Sequence, residues 1–249
     1  MGKHYSKCLF FILFLALGLQ TAVAQVKNNF DVRYEADIRG DLTFIANSIV
    51  APQIDPYCEG RRRNRICYPG QTPNDPYNLT GSGSDYNDNL DMQYIDIDGD
   101  NSTFSSSSAN LEIPDVDCAL VRYAGLYWSA VYVNSDRSNI DDIKFRIPGE
   151  AYQDITADEI IFDGDGDADF GYYSPYAAYK DVTDIVSGMT NPNGEYFVAN
   201  VRASTGSNIS GGISGGWKMV VVYENPNLPG DKFITTFDGY AGVKSGESI

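Results

Sequence analysis

The sequence is almost without histidine. Its one histidine, His4, lies in an N-terminal segment that we expect to be removed. A chain without histidine forms no Ser-His-Asp triad, no Cys-His dyad and no histidine-ligated zinc site. The mature sequence therefore excludes these three kinds of catalytic site, and no other motif nominates a catalytic residue.

Basic residues are also scarce. The chain has 18 Lys and Arg residues against 34 Asp and Glu residues, which gives a formal net charge of −16. Nucleic acids and anionic membranes bind to basic protein surfaces. We therefore expect neither of them as a partner.

Only one long apolar run is present, and it lies at the N-terminus. Lys3 and Lys7 give a positive start, residues 8–19 are the apolar part, and residues 22–24 are a small-residue cleavage site. This arrangement is typical of a secretory signal peptide and too short to span a bilayer comfortably. We therefore predict that residues 1–24 are removed and that the mature chain is extracellular, without direct membrane insertion.

Cysteine is rare as well, with four residues in the chain. Cys58 and Cys67 lie close together in the polar stretch 51–89, and in an exported protein this favours a local disulfide. Cys118 has no obvious partner, which leaves open a buried free thiol or a bond to a segment outside this sequence.

A basic run lies between Cys58 and Cys67 and contrasts with the acidic remainder of the chain. One interpretation is a solvated loop tip held by the disulfide. The other is a contact with an acidic polysaccharide, or with an acidic patch of the same protein, through Arg61, Arg62 and Arg63.

No long helical periodicity appears, whereas strand patterns are frequent. Residues 215–226 begin with two glycines, continue as an apolar run and end at an Asn-Pro pair, and residues 121–132 are their nearest counterpart. Strands that are apolar on both faces need cover on both sides. We therefore predict two central strands with Trp128 and Trp217 as packing residues. The predicted fold is an all-β, jelly-roll-like two-sheet β-sandwich over residues 25–249, with long loops and at most one or two short helices.

The flanking segments predict further strands. Residues 30–38 and 41–50 alternate and are predicted to form a hairpin through Arg39 and Gly40. A second pair is predicted for residues 90–97 and 103–113, and a short helix within residues 179–186. Residues 232–240 are predicted to be a strand that ends in a turn at Asp238 and Gly239. Its partner is not completed before Ile249, so we expect an unpaired strand edge or a frayed C-terminus.

Two acidic clusters have the alternate spacing with which one loop can surround a calcium ion. The first choice is Asp163, Asp165, Asp167 and Asp169, since four carboxylates in a short loop repel one another without a cation. The second choice is Asp96, Asp98 and Asp100, for which the alternative is the polar face of a strand. Neither cluster has the glycine and glutamate positions of an EF-hand.

Tyrosines cluster at residues 172–179. Aromatic rings on a loop can stack on sugars, which makes Tyr172, Tyr173 and Tyr176 candidate glycan contacts. The alternative is that these rings pack the loop and the short helix onto the sandwich.

Several segments in order resemble a known family: Tyr94-Ile-Asp-Ile-Asp-Gly-Asp, Thr103-Phe-Ser-Ser-Ser-Ser-Ala-Asn-Leu, Tyr123-Ala-Gly-Leu-Tyr-Trp-Ser-Ala, Gly215-Gly-Trp-Lys-Met-Val-Val-Val-Tyr-Glu-Asn-Pro and Phe237-Asp-Gly-Tyr. The chain is similar to the N-terminal region of very large surface proteins of gliding, flavobacteria-type bacteria. These proteins are exported by the type IX system and are described as gliding-motility-associated or adhesin-like. The resemblance implies a role in adhesion or surface-layer assembly, with further repeat domains and a sorting domain in the same chain, and it supplies no site residues.

From these observations we expect a non-enzymatic extracellular domain of an adhesin-type protein. Its expected partner is a surface polysaccharide or another cell-surface protein. The alternative is a carbohydrate-binding or glycan-cleaving module. Glycoside hydrolysis depends on the distance between two carboxyl groups in the folded protein, which sequence spacing does not give.

Overall fold

The computed structural model describes residues 25–55, 66–67, 90–207, 209 and 212–243. Fifteen strands lie in this part of the chain. They are β1 Gln25–Ile38, β2 Gly40–Ser48, β3 Val50–Pro52, β4 Ile54–Asp55, β5 Ile66–Cys67, β6 Met92–Tyr94, β7 Ser106–Leu111, β8 Leu120–Val131, β9 Asp142–Arg146, β10 Gln153–Thr156, β11 Glu159–Asp163, β12 Pro175–Asp181, β13 Gly194–Ala199, β14 Gly215–Glu224 and β15 Lys232–Gly242. One short helix, α1, covers Thr183–Ser187.

The largest sheet has five antiparallel strands in the order β11-β12-β8-β14-β2. Strands β8 and β14 lie side by side near its centre, and Trp217 is opposite Trp128 in their register. Both indoles are buried, and their ring N–H groups donate to Ile140 O and Ser107 Oγ, each at 2.9 Å. The predicted pair of central strands with packing tryptophans is confirmed.

A second sheet of four strands, in the order β10-β9-β13-β7, covers one face of the first. We call this covered side of the five-stranded sheet the inner face. The main core lies between the two sheets and includes side chains from both of them: Leu126, Trp128, Met219, Val221, Phe145, Tyr196 and Val198. The predicted all-β sandwich is confirmed.

The opposite side of the five-stranded sheet, the outer face, is crossed by a third layer that the sequence did not predict. Strands β1 and β15 pair with each other as a two-stranded antiparallel sheet, which we call the ribbon. A smaller buried cluster holds the ribbon against the outer face, with Ile234 from the ribbon and Tyr123, Tyr179, Val222 and Ile161 from the sheet.

The predicted hairpin of residues 30–38 and 41–50 is wrong. Strand β1 pairs with β15 in the ribbon, whereas β2 pairs with β14 in the five-stranded sheet. Gly40 is not a turn residue here; a Cβ on it would lie 2.1 Å from Tyr223 O, so it permits a close backbone approach where the chain passes between layers. Strands that switch sheets at a bend are common at sandwich corners.

The predicted turn at Asp238 and Gly239 is also wrong, because both residues lie within β15. A Cβ on Gly239 would lie 2.6 Å from Asn29 O, at the place where the register of β1 shifts by a bulge. The pairing partner of β15 is β1, along its length from Lys232 to Gly242, and not a strand after the predicted turn. Its other edge pairs with no strand among the described residues, and a frayed C-terminus stays a prediction.

The pairing predicted for residues 90–97 and 103–113 is wrong too. Strand β6 pairs with β3, and β7 pairs with β13. The helix predicted within residues 179–186 begins later, at Thr183, because Tyr179 belongs to β12. No helix among the residues that the structure describes has both the length and the apolar character to cross a membrane.

Candidate functional site

A groove of about 740 Å³ lies between the ribbon and the outer face of the five-stranded sheet. Pockets that bind small ligands typically have volumes of about 300–1,000 Å³. The groove lies over the end of the sheet where β14 begins, and residues from β1, β2, β8, β11, β12, β14 and β15 line it.

Small residues form the floor of the groove. The strand register places Ala177 opposite Ser129, Ser129 opposite Gly216, and Gly216 opposite Ser48. The row therefore crosses four neighbouring strands. A Cβ on Gly216 would lie 2.7 Å from Asn47 O, so this position accepts no side chain.

The ribbon forms the wall. Phe30 and Phe237 both line the groove and are 51% and 60% exposed. The absence of a side chain at Gly239 lets the bulged part of β1 approach closely, with Phe30 Cα 2.8 Å from the position that a Cβ on Gly239 would take. The groove lining thus combines two exposed phenylalanines of the ribbon with a floor of small residues.

One carboxylate, Asp238, lies among the groove-lining residues of the described chain. Arg33 binds it with Nε 2.6 Å from Oδ2 and Nη2 3.0 Å from Oδ1. The hydroxyl of Tyr127 also donates to Asp238 Oδ2, at 3.1 Å, and burial raises the pKa of Tyr127. Arg33 Nη2 also lies 2.6 Å from Glu159 Oε2, so one guanidinium is shared by two carboxylates. Asp238 thus has an ion-pair partner inside the protein, and Tyr127 stays protonated as its donor.

One cation, Lys218, lies among the same groove-lining residues. Its neighbours across the strands are Tyr127 and Ala46, and its Nζ lies 5.2 Å from the centre of the Tyr127 ring. The side chain is exposed and forms no ion pair with any described residue. It is available to an anionic group in the groove.

The acidic loop that was the first choice for calcium is bound by two basic side chains. Lys27 Nζ lies 3.0 Å from Asp167 and 2.5 Å from Asp169, and Arg137 Nη2 lies 2.5 Å from Asp163. The hydrogen bond from Lys27 lowers the pKa of Asp167. Asp165 donates its backbone N–H to Asp163 Oδ1 at 3.0 Å.

Across the described ranges, no group of three or more side chains of the kinds that ligate metals is brought together. Lys27 and Arg137 supply positive charge that the sequence argument assigned to calcium. Calcium binding at this loop stays a prediction.

The second acidic cluster is organised by hydrogen bonds. Asp98 accepts from the hydroxyls of Tyr152, at 2.6 Å, and Thr103, at 3.1 Å, while Asp96 accepts from Ser106 Oγ at 2.9 Å. Burial raises the pKa of Asp98, but these hydrogen bonds outweigh burial and lower it below its ordinary value. Asp100 accepts from the N–H of Ser102 at 2.8 Å. The cluster holds a turn against β7.

The three tyrosines predicted to contact a glycan differ in exposure. Tyr172 is 68% exposed and Tyr173 is half-buried, but Tyr176 is 1% exposed and donates its hydroxyl to Arg202 O. Tyr176 is enclosed by the core, which leaves it no surface for a sugar ring. For Tyr176, the alternative of packing onto the sandwich is the one observed.

The remaining predicted residues lie largely outside the described part of the chain. Arg61, Arg62, Arg63 and Cys58 fall outside it, and of Cys67 the structure describes the strand position only. The disulfide therefore stays a prediction. Cys118 is free and exposed, so the alternative of a buried free thiol is wrong about burial, and a bond to a segment outside this sequence stays a prediction.

Sequence reasoning missed the groove, because its residues come from seven strands. One local signal was present: Lys218 interrupts an otherwise apolar run and is exposed, although the strand lies inside the sheet. A charge at such a position indicates that the covering layer is incomplete there.

Comparison of the chain with protein-family models, with curated proteins and with solved structures finds no match.

Proposed function

We propose that the mature chain is a non-enzymatic extracellular attachment domain that binds a surface polysaccharide in the groove beneath the ribbon. The observation that carries this proposal is the groove itself, whose lining combines a floor of small residues with the exposed aromatic residues Phe30 and Phe237. Aromatic rings supply large contact areas at low conformational cost and can stack on sugars.

The distribution of exposed apolar side chains supports binding at this side of the molecule. Eight of the twelve exposed large hydrophobic side chains of the described residues belong to the ribbon, its C-terminal flank or the adjacent strand β2: Val26, Phe30, Val32, Leu42, Phe44, Phe233, Phe237 and Val243. Apolar patches of this kind commonly mark interaction surfaces. The predicted signal peptide would place this surface outside the cell.

The chemistry of the groove favours binding over glycan cleavage. Glycoside hydrolysis usually requires two carboxyl groups about 5–9.5 Å apart, one of them able to give up a proton. Among the described groove-lining residues Asp238 is the one carboxylate, and it is held by Arg33 and Tyr127. The mature sequence also has no histidine that could donate a proton in place of a second carboxyl group.

The proposal is tested by retention of the mature chain on insoluble polysaccharides, with cellulose, chitin, xylan and immobilised polygalacturonate as the panel. Phe237→Ala removes a ring that lines the groove. Phe233→Ala is the matched control, because Phe233 lies on the same strand and is 66% exposed but does not line the groove.

We expect retention on at least one polymer, a marked loss for Phe237→Ala and little change for Phe233→Ala. No retention on any polymer, or equal retention of the two variants, would overturn the proposal. Release of reducing sugar ends from a retained polymer would overturn its non-enzymatic part.

A further inference from the structure

Most Lys and Arg side chains of the described chain form ion pairs within the protein, and a few do not. Of its eleven Lys and Arg side chains, eight form ion pairs with Asp or Glu. The other three, Arg146, Arg202 and Lys218, stand against aromatic rings without an acidic partner. Lys218 is the one of these three that lines the groove.

Among the described residues, the groove has one lining cation without an acidic partner, Lys218, although the chain as a whole is acidic. Asp238, the groove-lining carboxylate, has both of its oxygens bound by Arg33. Charges farther away than about 8 Å are largely screened at physiological ionic strength. An anionic group that enters the groove meets Lys218 as the one lysine or arginine among the described groove-lining residues.

The surroundings of Lys218 suit a sugar chain. On the same face of the sheet, the small-residue row from Ala177 through Ser129 and Gly216 to Ser48 lies beside it. This row crosses four strands, which is about 14 Å at the usual strand spacing and long enough for more than one sugar ring. Two serine hydroxyls along the row can bond to sugar hydroxyls.

A peptide is a poorer fit, because a peptide that joins a sheet pairs with free backbone groups at an edge. The sheet edge beside the groove is β2. Two N–H groups of this edge are already bound by neighbouring side chains, since Leu42 N donates to Asp41 Oδ1 at 2.9 Å and Ser48 N donates to Asn47 Oδ1 at 2.8 Å. The groove floor itself is the face of a sheet, whose backbone groups are paired between strands.

We infer that the groove selects a carboxylate-bearing polysaccharide, a chain that contains uronic acid residues, and that Lys218 pairs with the carboxylate of one of these residues. This inference rests on the proposed function of the same groove. It adds the chemical class of the ligand and the residue that recognises it.

The experiment compares the binding of the mature chain to polygalacturonate and to its methyl ester at physiological ionic strength. The ester keeps the sugar backbone but removes the charge. We expect the free acid to bind more tightly than the ester, and Lys218→Met to weaken binding of the acid by about fivefold, as for a partly exposed ion pair. Lys218→Met should leave binding of the ester unchanged.

Arg146→Met is the matched control, because Arg146 also lacks an acidic partner but stands on Phe197 of the four-stranded sheet. Polyglutamate is the control for anionic polymers that are not sugars. Melting temperatures of all variants verify that each is folded.

Equal binding of acid and ester, or equal effects of Lys218→Met and Arg146→Met, would overturn the inference. If Phe237→Ala still abolishes retention in that case, the proposed function stands without it. Binding of polyglutamate as tight as that of polygalacturonate would overturn the assignment to a sugar chain.

Discussion

The two faces of the five-stranded sheet are covered by different chemistry. On the inner face Leu126, Trp128, Met219 and Val221 are at most 1% exposed and pack against the second sheet. On the outer face the hydroxyl of Tyr123 lies 3.2 Å from that of Tyr127, beneath a ribbon that is anchored by charged side chains.

This difference shows how one set of strands can support a stable core on one face and, on the other face, a layer whose attachment depends on solution conditions. Apolar burial on the inner face depends on area and is insensitive to protonation. The ribbon is held by a smaller buried cluster and, in addition, by phenols, an arginine and carboxylates, whose contribution depends on pH and ionic strength. We therefore expect the two faces to respond differently to substitution and to solution conditions.

The largest expected effect is on the inner face. Trp128→Ala removes a fully buried indole and leaves Ile140 O without its donor, so the free energy of unfolding should fall by about 3–5 kcal/mol. Denaturant titration measures this change. The control is Phe44→Ala, on an outer-face position that is 68% exposed, where a change within about 0.5 kcal/mol is expected. Similar losses in both variants would contradict the comparison.

The next effect is on the anchoring of the ribbon. Arg33→Met leaves Asp238, which is 13% exposed, without its ion-pair partner, so we expect a loss of about 1–3 kcal/mol. Arg39→Met is the control, because Arg39 and Asp231 are 49% and 71% exposed and such pairs contribute little. Adding Asp238→Asn to Arg33→Met should restore part of the stability, and no restoration would argue against an uncompensated charge as the cause.

Alkaline pH should weaken the outer face through its tyrosines. Burial raises the pKa of Tyr123 above its ordinary value of 10.0. Above that pH the unfolded chain loses this proton while the folded chain keeps it, so stability is fully present below pH 10 and falls as the pH rises. Tyr123→Phe should reduce the slope of stability against pH. A slope unchanged from that of the parent protein would refute this account.

The smallest expected effect concerns the acidic loop beside the ribbon. If calcium binds there, it should raise the melting temperature relative to a chelator, since it binds the folded state alone. Lys27→Met frees Asp167 and Asp169 from their internal cation and should enlarge this rise. A melting temperature that is the same with calcium and with chelator in both proteins would contradict calcium binding. Lys27 and Arg137 would then be the side chains that balance the charge of the loop.

The central strands could be predicted because the evidence for them is local. An apolar run between glycines and an Asn-Pro pair indicates a buried strand whatever its neighbours are, and Trp128 and Trp217 lie in such runs. Strand pairing depends on contacts between distant segments. The ribbon joins residues near both ends of the described chain, so no local pattern indicated it.

The glycines show why the pairing predictions failed. The sequence pattern predicts turns at Gly40 and Gly239. Both glycines instead permit close backbone contacts within strands. The two uses require the same residue type, and sequence spacing does not distinguish them. The groove could not be predicted because its lining residues come from distant segments. Residues Phe30, Ser129, Lys218 and Phe237 line one groove only after the ribbon crosses the sheet.

The register of the ribbon has a mechanical consequence. Gln25 and Gly242 face each other as its first pair, so a tensile force applied between these two residues pulls the strands apart from the same end. The ladder then opens one pair after another, like a zipper, instead of resisting by shear along its whole length. The core between the two larger sheets contains no ribbon residue, so it stays packed while the ribbon peels away. Phe30 and Phe237 leave with the ribbon, so tension of this kind opens the groove before the sandwich itself unfolds, and it would release a polysaccharide held there as proposed.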